Sequence, residues 1–297
     1  MTVNSFALGW DPARSRAVRA ELTARRLYAT VLDGPVPPAY SLSGKRLRHL
    51  EQGQAGTCWA HSGTQLAEVS AVALGYEAFP VCRRLVGWQG KQLEGGGNPS
   101  DGGTATDALL SMTAEKGAGI AHEDLCPYTD DRRVLGSRPD AKVFDDARKS
   151  HLVAVVDVKS DDDARRLISS GRPVSNGIYW PFNWDDSRTF MDTIGRGAYG
   201  HALTEIGYVI KGVWDEYDWF QFDNWHSLLY PPLPPEKAAK VPGYKPITPE
   251  KTSDFWLRAD IYEKVRGFGY AERVSATDIT GLGKIVNIPS FIDVLPV

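Results

Sequence analysis

A cysteine at the head of a helix-forming run constrains this chain more than any other feature. The segment reads Gln52-Gly53-Gln54-Ala55-Gly56-Thr57-Cys58-Trp59-Ala60-His61-Ser62. Gln52 stands six residues before Cys58, with glycine and small or polar residues between them. From Trp59 the apolar residues fall at helical spacing, at Trp59, Leu66, Val69 and Ala73, so one side of the helix is core and Cys58 occupies its first turn. Gly75 closes the helix near residue 74. This placement favours a thiolate over a thiol. The first-turn N–H groups have no partner within the helix, and the positive end of its dipole attracts an anion.

The totals narrow the class. With 297 residues, 42% of them hydrophobic, the chain can bury one large domain or two lobes. A net charge of -3 gives no bulk attraction for nucleic acid or a membrane surface. The three cysteines, Cys58, Cys82 and Cys126, are odd in number and far apart in sequence, which argues against a disulfide framework. No apolar run has the length of a signal-peptide core after the N-terminal charges, and none reaches a membrane span, so a soluble intracellular protein is expected. No Cys/His cluster has zinc spacing, and no glycine-rich loop precedes a Lys-Ser/Thr pair. No metal and no cofactor are expected.

Along the chain, Asp11-Pro12 starts a helix that runs to Arg26 and carries Arg14, Arg16, Arg19, Arg25 and Arg26. It reads as a solvated basic helix at the edge, or as a docking arm or shortened pro-segment. Val36-Pro37-Pro38 is extended, because proline biases its neighbours away from helix. Cys82 reads as a small buried residue. Glu94 to Gly103 is a glycine-rich loop ending in Asp101-Gly102-Gly103, where bare backbone lets a ligand approach closely; the alternative is an ordinary turn. Thr106 to Lys116 reads as a helix closed by Gly117.

Near residue 141 the pattern turns to strands. Leu152 to Val158 is one, Asp161 to Ser170 a capped helix, and Pro173 to Trp180 another strand. Two further stretches carry polar residues of chemical interest: Tyr199-Gly200-His201-Ala202-Leu203-Thr204-Glu205-Ile206-Gly207-Tyr208, and Trp219-Phe220-Gln221-Phe222-Asp223-Asn224-Trp225-His226-Ser227. Seven prolines between Pro231 and Pro249 preclude a central strand there. Phe255, Leu257, Ala259 and Ile261 then alternate as a closing strand. Residues 271–297 end in a run with Ile285, Val286, Ile288, Phe291, Ile292, Val294 and Leu295, too apolar for a free coil.

Taken in order, these segments resemble the papain-like cysteine peptidases. The family reads Gln-Gly-x-Cys-Gly-Ser-Cys-Trp-Ala-Phe-Ser where this chain has Gln52 to Ser62, with Ala55, Thr57 and His61 as departures. Asp101-Gly102-Gly103 looks like its Asn-Gly-Gly, Gly119 to Tyr128 like its Gly-Ile-x-x-Glu-x-x-Tyr-Pro-Tyr, and His201 to Tyr208 like its His-Ala-Val-x-x-Val-Gly-Tyr. The family's Asn-Ser-Trp-Gly is one residue short here, tryptophan following Asn224 at once. The resemblance covers roughly residues 36 to 265. It implies an α+β fold of two lobes with the active-site cleft between them: a helical lobe, residues 36–140, carrying Cys58, and an antiparallel β-barrel-like lobe, residues 141–270, carrying His201 and Asn224. An N-terminal arm, 1–35, and an apolar tail, 271–297, flank them.

The roles implied are Cys58 as nucleophile, His201 as acid and base, Asn224 as the group that orients His201, and Gln52 with the Cys58 N–H as oxyanion donors. Asp223 is the rival to Asn224. Gly102 and Gly103 are the implied substrate-binding backbone. His61, one turn after Cys58, and His226, beside the third segment, are lesser candidates; His49, His122 and His151 read as surface or loop residues. Cys126 holds a tyrosine's place and reads as packing. Two functions fit: a cysteine endopeptidase acting on peptide or protein substrates, or a papain-like scaffold serving as a structural or binding component of a larger assembly such as a virus particle. The location is accordingly cytoplasmic or within such a particle. The tail is expected to dock on a partner chain, with the N-terminal arm assisting; the alternative is that it folds over its own core.

Overall fold

The structure, a computed structural model, describes residues 35–180, 187–194, 199–225, 230–267 and 272–284. The basic helix expected at 12–26 and the apolar run 285–297 lie outside them.

The helix headed by Cys58 runs to Ala73 (α1). Its sequence pattern predicts one buried side, yet every residue from Cys58 to Ala71 is buried. Its larger polar side chains, and Ser62, are tolerated because they find partners. Ser62 Oγ donates to Leu203 O at 2.6 Å, Gln65 Nε2 donates to Asp223 at 3.0 Å, and Glu68 accepts from Arg48 and from the Val81 N–H, both at 2.8 Å. A central helix of this kind is specified by its hydrogen-bond partners as much as by its apolar face.

Further helices among the described residues are α2 (Arg83–Leu93), α3 (Ala105–Ser111), α4 (Arg132–Gly136), α5 (Ala141–Ala147), α6 (Asp161–Ser169), α7 (Pro235–Ala238) and α8 (Ala259–Gly267). The strands are β1 (Ala39–Ser41), β2 (His151–Leu152), β3 (Val155–Asp157), β4 (Val174–Trp180), β5 (Phe190–Met191), β6 (Tyr199–Val209), β7 (Trp219–Asp223), β8 (Asp254–Arg258), β9 (Glu272–Ala276) and β10 (Ile279–Thr280). The main sheet runs β3-β9-β4-β6-β7-β8-β5, with β1 on the far end of β6 and β10 paired separately with β2. All its pairs are antiparallel except β5–β8. This is an α+β fold, helical in its N-terminal part and sheet-rich after it. No helix among the described residues is long and apolar enough to cross a membrane.

Four local expectations change. The capped helix α6 starts one residue earlier than expected, at a capping box: Ser160 Oγ accepts from the Asp163 N–H and the Asp163 carboxylate from the Ser160 N–H, each at 3.1 Å. The helix after the glycine-rich loop stops at Ser111 rather than Lys116, with Ala118 and Gly119 N–H groups turning back onto Ser111 O. The strand predicted over 152–158 is split into β2 and β3. The alternation from Phe255 to Ile261 also divides: β8 ends at Arg258, and Ile261, Tyr262 and Val265 form the buried side of α8.

The largest change is at the C-terminal side. Residues 271–297 are expected as an appendage available to a partner, but Glu272–Ala276 is β9, inserted between β3 and β4. Its backbone is paired on both sides. Arg273 is buried against Glu205 of β6 at 2.7 Å, and Glu272 accepts from the Ala105 and Thr106 N–H groups at 3.1 and 2.7 Å. The polar letters Glu-Arg-x-Ser disguise a central strand, because their partners lie far away in sequence. Docking on a partner through residues 272–280 is therefore closed off by the chain's own sheet.

Candidate active site

The sheet register brings the sequence-predicted residues to one place. Thr204 of β6 faces Asp223 of β7, so His201, three residues earlier, and Asn224, directly after β7, emerge at the same end of the ladder. The head of α1 meets that end: the Ala202 N–H donates to Cys58 Sγ at 3.3 Å. Cys58 is the first residue of α1, and its N-cap, Thr57, sends its hydroxyl to Tyr128 (2.7 Å) instead of capping the helix. Cys58, Trp59, Ala202 and Trp225 share one apolar cluster at the seam between helices and sheet.

His201 has its Nε2 2.9 Å from Asn224 Oδ1. The amide oxygen can only accept, so Nε2 carries the proton and Nδ1 is left as the basic nitrogen. Asn224 is itself held, its Nδ2 donating to the Tyr230 hydroxyl at 2.9 Å and its Oδ1 accepting the Trp225 N–H at 2.8 Å. Trp225 Nε1 donates to Ala202 O at 2.8 Å, and Trp180 stands edge-on to the imidazole at 5.3 Å. Burial pushes the His201 pKa down to about 4, against the opposing effect of the Asn224 bond. The resting imidazole is thus neutral, the form that can take a thiol proton. Cys58 is 0% and His201 1% exposed, so the pair lies beneath the surface.

Gln52 sits on a loop fixed at several points. Its N–H donates to Trp225 O at 2.9 Å, the Tyr128 hydroxyl donates to its carbonyl at 2.8 Å, and its Nε2 donates to Ala55 O at 2.5 Å. Nε2 has two hydrogens, and the Ala55 bond uses one. The loop therefore joins the Cys58 segment to the strand end that carries Asn224.

Gly102 and Gly103 follow the short turn Pro99–Asp101. Gly102 has φ 94, which L side chains avoid, and a Cβ on Gly103 would stand 2.5 Å from the Trp59 ring. Trp59 Nε1 donates to Pro99 O at 3.2 Å. The residue after Cys58 thus pins the glycine loop, and the glycines are needed for that packing in addition to any ligand.

Asp223, the rival orienter, faces away from His201. It accepts from Arg46 (3.3 Å) and from Gln65 and Ser253, inside a buried group that also contains Asp254, 2.6 Å from Arg46. His122 stacks on Phe79 and pairs with Asp146 at 2.7 Å. His226 lies outside the described residues. Cys82 caps α2, its Sγ accepting the Leu85 N–H at 3.4 Å and donating to Cys126 O at 3.3 Å. The hydrogen bond with Cys126 and burial push the Cys82 thiol well up, away from thiolate chemistry. Among the described residues no group of three or more His, Cys, Asp or Glu could hold a metal ion.

Three contributors escape the sequence reading: the Ala202 N–H on sulfur, Trp180 beside His201, and Tyr128 under the Gln52 loop. Tyr128 stands within a quoted motif, Pro127-Tyr128, and that was the available signal. The other two depend on strand register.

No protein-family model matches the sequence, and no curated protein matches it. Solved structures do. Xylellain, a cysteine protease from Xylella fastidiosa, superposes with a TM-score of 0.65 at 17% identity, over 86% of this chain and 92% of that one. The chain has the papain-like cysteine protease fold. The proform of the ragweed pollen allergen Amb a 11, also a cysteine protease, matches with a TM-score of 0.61 at 16% identity, over 93% of this chain and 75% of that one. The cysteine protease and lectin-like domains of Cwp84, a surface-layer-associated protein of Clostridium difficile, match at 0.60 and 16% identity, over 92% and 61%. At these identities the papain-like fold is what is shared.

Proposed function

We propose that this chain is a papain-like cysteine endopeptidase that hydrolyses peptide bonds through an acyl-enzyme on Cys58. The observation that carries the reading is the single cluster formed by Cys58 at a helix head, the Ala202 N–H on its sulfur, and a neutral His201 held through Nε2 by Asn224. His201 Nδ1 takes the thiol proton, and the thiolate forms a bond to the substrate carbonyl carbon. The carbonyl electron pair moves onto oxygen, between the Cys58 N–H and the second hydrogen of Gln52 Nε2. Collapse of this intermediate breaks the C–N bond, and the amine leaves with the proton held by His201. Water then attacks the thioester by the same sequence and restores the thiol. Substrates are peptides or proteins, with Gly102 and Gly103 pairing to their extended backbone.

Peptide hydrolysis by wild type and Cys58→Ala tests the reading. Loss of more than about a thousandfold in turnover, with folding intact, is expected when a nucleophile is removed. Equal hydrolysis by both would overturn it. The depth of Cys58 and His201 favours a second reading, a papain-like scaffold whose work is binding within a larger assembly. Under that reading the wild-type protein hydrolyses peptides weakly or not at all.

A further inference from the structure

His61 replaces the family's phenylalanine one turn into α1, and its surroundings give it a task. Its Nδ1 lies 2.9 Å from Thr57 O and its Nε2 3.2 Å from Glu51 O. Arg83 reaches the same spot from α2, one guanidinium nitrogen 3.1 Å from Glu51 O and 3.3 Å from His61 Nε2. One tautomer satisfies all of these contacts but one, the approach of Nε2 to Glu51 O, where two acceptors share the Arg83 guanidinium. With the proton on Nδ1, the ring donates to Thr57 O, and Nε2 accepts from Arg83, which also serves Glu51 O. The other tautomer would set the Nδ1 lone pair against the Thr57 carbonyl and an N–H against the guanidinium. Burial, then the Arg83 charge, push the His61 pKa down to about 3, so the ring stays neutral. Glu123 holds Arg83 in turn at 2.5 Å, and Arg83 lies 4.3 Å over the Tyr128 ring, whose hydroxyl bonds Gln52 O.

The two carbonyls concerned immediately precede Cys58 and Gln52 in the chain, and only the first shares its peptide group with a proposed oxyanion donor. Thr57 O belongs to the same peptide group as the Cys58 N–H, and Glu51 O to the same group as the Gln52 N–H. We infer that His61 is a positioning residue for acyl transfer: its Nδ1–H fixes and polarises the Thr57–Cys58 peptide, so that the Cys58 N–H is a better aimed and stronger donor to the oxyanion. A hydrogen bond accepted by a peptide carbonyl strengthens the donor on the other side of that peptide. The chain Arg83, His61, Thr57–Cys58 therefore ends at the developing negative charge. This inference rests on the proposed peptidase activity.

The test separates oxyanion chemistry from thiolate chemistry. Acylation of Cys58 by an activated peptide ester passes through an oxyanion; alkylation by iodoacetamide, in which the thiolate displaces iodide, does not. His61→Asn keeps a donor where Nδ1 was, and His61→Gln places its donor where Nε2 was. Expected for His61→Gln and His61→Phe is a loss of about three- to tenfold in acylation, smaller than the hundredfold of removing an oxyanion donor outright, with alkylation changed by less than about twofold. His61→Asn should restore most of the acylation. An unchanged ratio of acylation to alkylation in both His61→Gln and His61→Asn overturns the inference. So does a parallel loss of both reactions, which would make His61 a packing residue. Wild-type protein that alkylates but never acylates fails the peptidase proposal itself, a result read without any variant.

Discussion

The two halves of the candidate site are held by different physics. On the helical side, the Gln52 loop and the head of α1 are fixed by polar groups: Arg83 with Glu123 and on Glu51 O, His61 on Thr57 O, and Tyr128 on Gln52 O. On the sheet side, His201 and Asn224 are placed by the β6–β7 ladder and by Trp180, Trp225 and Tyr230. The polar side aims a handful of atoms through charge-assisted bonds. The sheet side excludes water and fixes one imidazole nitrogen. Under the proposed mechanism each half suits its task, since oxyanion donors need direction and a neutral base needs burial.

The strongest way to break this comparison is to remove β9. It touches both halves, with Arg273 on Glu205 of β6 and Glu272 on the first N–H groups of α3. Deleting residues 272–297 takes out a strand from within the sheet and leaves Glu205 buried without its partner. A buried pair broken from one side costs about 3–5 kcal/mol before the lost ladder is counted, which is a large part of a domain's stability. The truncated chain should fail to fold by circular dichroism. A folded truncated protein that has only lost assembly would return residues 271–297 to the role of docking tail.

A smaller effect divides neighbours on the sheet side. Asn224→Ala should lower turnover by about a hundredfold through loss of His201 orientation, with little change in melting temperature. Asp223→Ala should do the reverse. It should cost about 3 kcal/mol in urea unfolding, the low end for a buried ionic group because Asp254 still faces Arg46, and leave turnover per folded molecule near wild type. Exchange of those two phenotypes would make Asp223 the orienter.

The smallest effect sharpens the burial claim. Between about pH 6.5 and about 4, an unfolded chain binds a proton at residue 201 that the folded chain refuses. Stability therefore falls as pH drops through this window, by about 1.4 kcal/mol per pH unit for each such histidine. His61 adds a second contribution that continues down to about 3. His201→Gln should give a stability–pH curve shallower by about that one-histidine slope between those limits. Superimposable slopes would mean that His201 is not held neutral by the fold.

The sequence was legible where chemistry and local structure coincide. A capless cysteine at a helix head, a glutamine six residues before it, and His-Ala and Asp-Asn ends of apolar strands can each be read within about ten residues. What could not be read depends on distant partners. Glu272 and Arg273 look like solvent-facing charges until Thr106 and Glu205 are placed beside them. Polar residues on every side of α1 look like an exposed face until Arg48, Val81 and Leu203 meet them. His61 looks like a spare base until Arg83 dictates its tautomer.

The central claim is that Cys58 is the activated nucleophile of this papain-like fold. Labelling of the intact native protein with a peptide carrying a thiol-reactive electrophile, followed by mapping of the modified cysteine by mass spectrometry, tests it most directly. The account predicts modification at Cys58 well before Cys82 or Cys126, slowed strongly in His201→Ala, whose thiol has lost its base. Equal labelling of the three cysteines, or labelling of Cys58 at the same rate with and without His201, would contradict it.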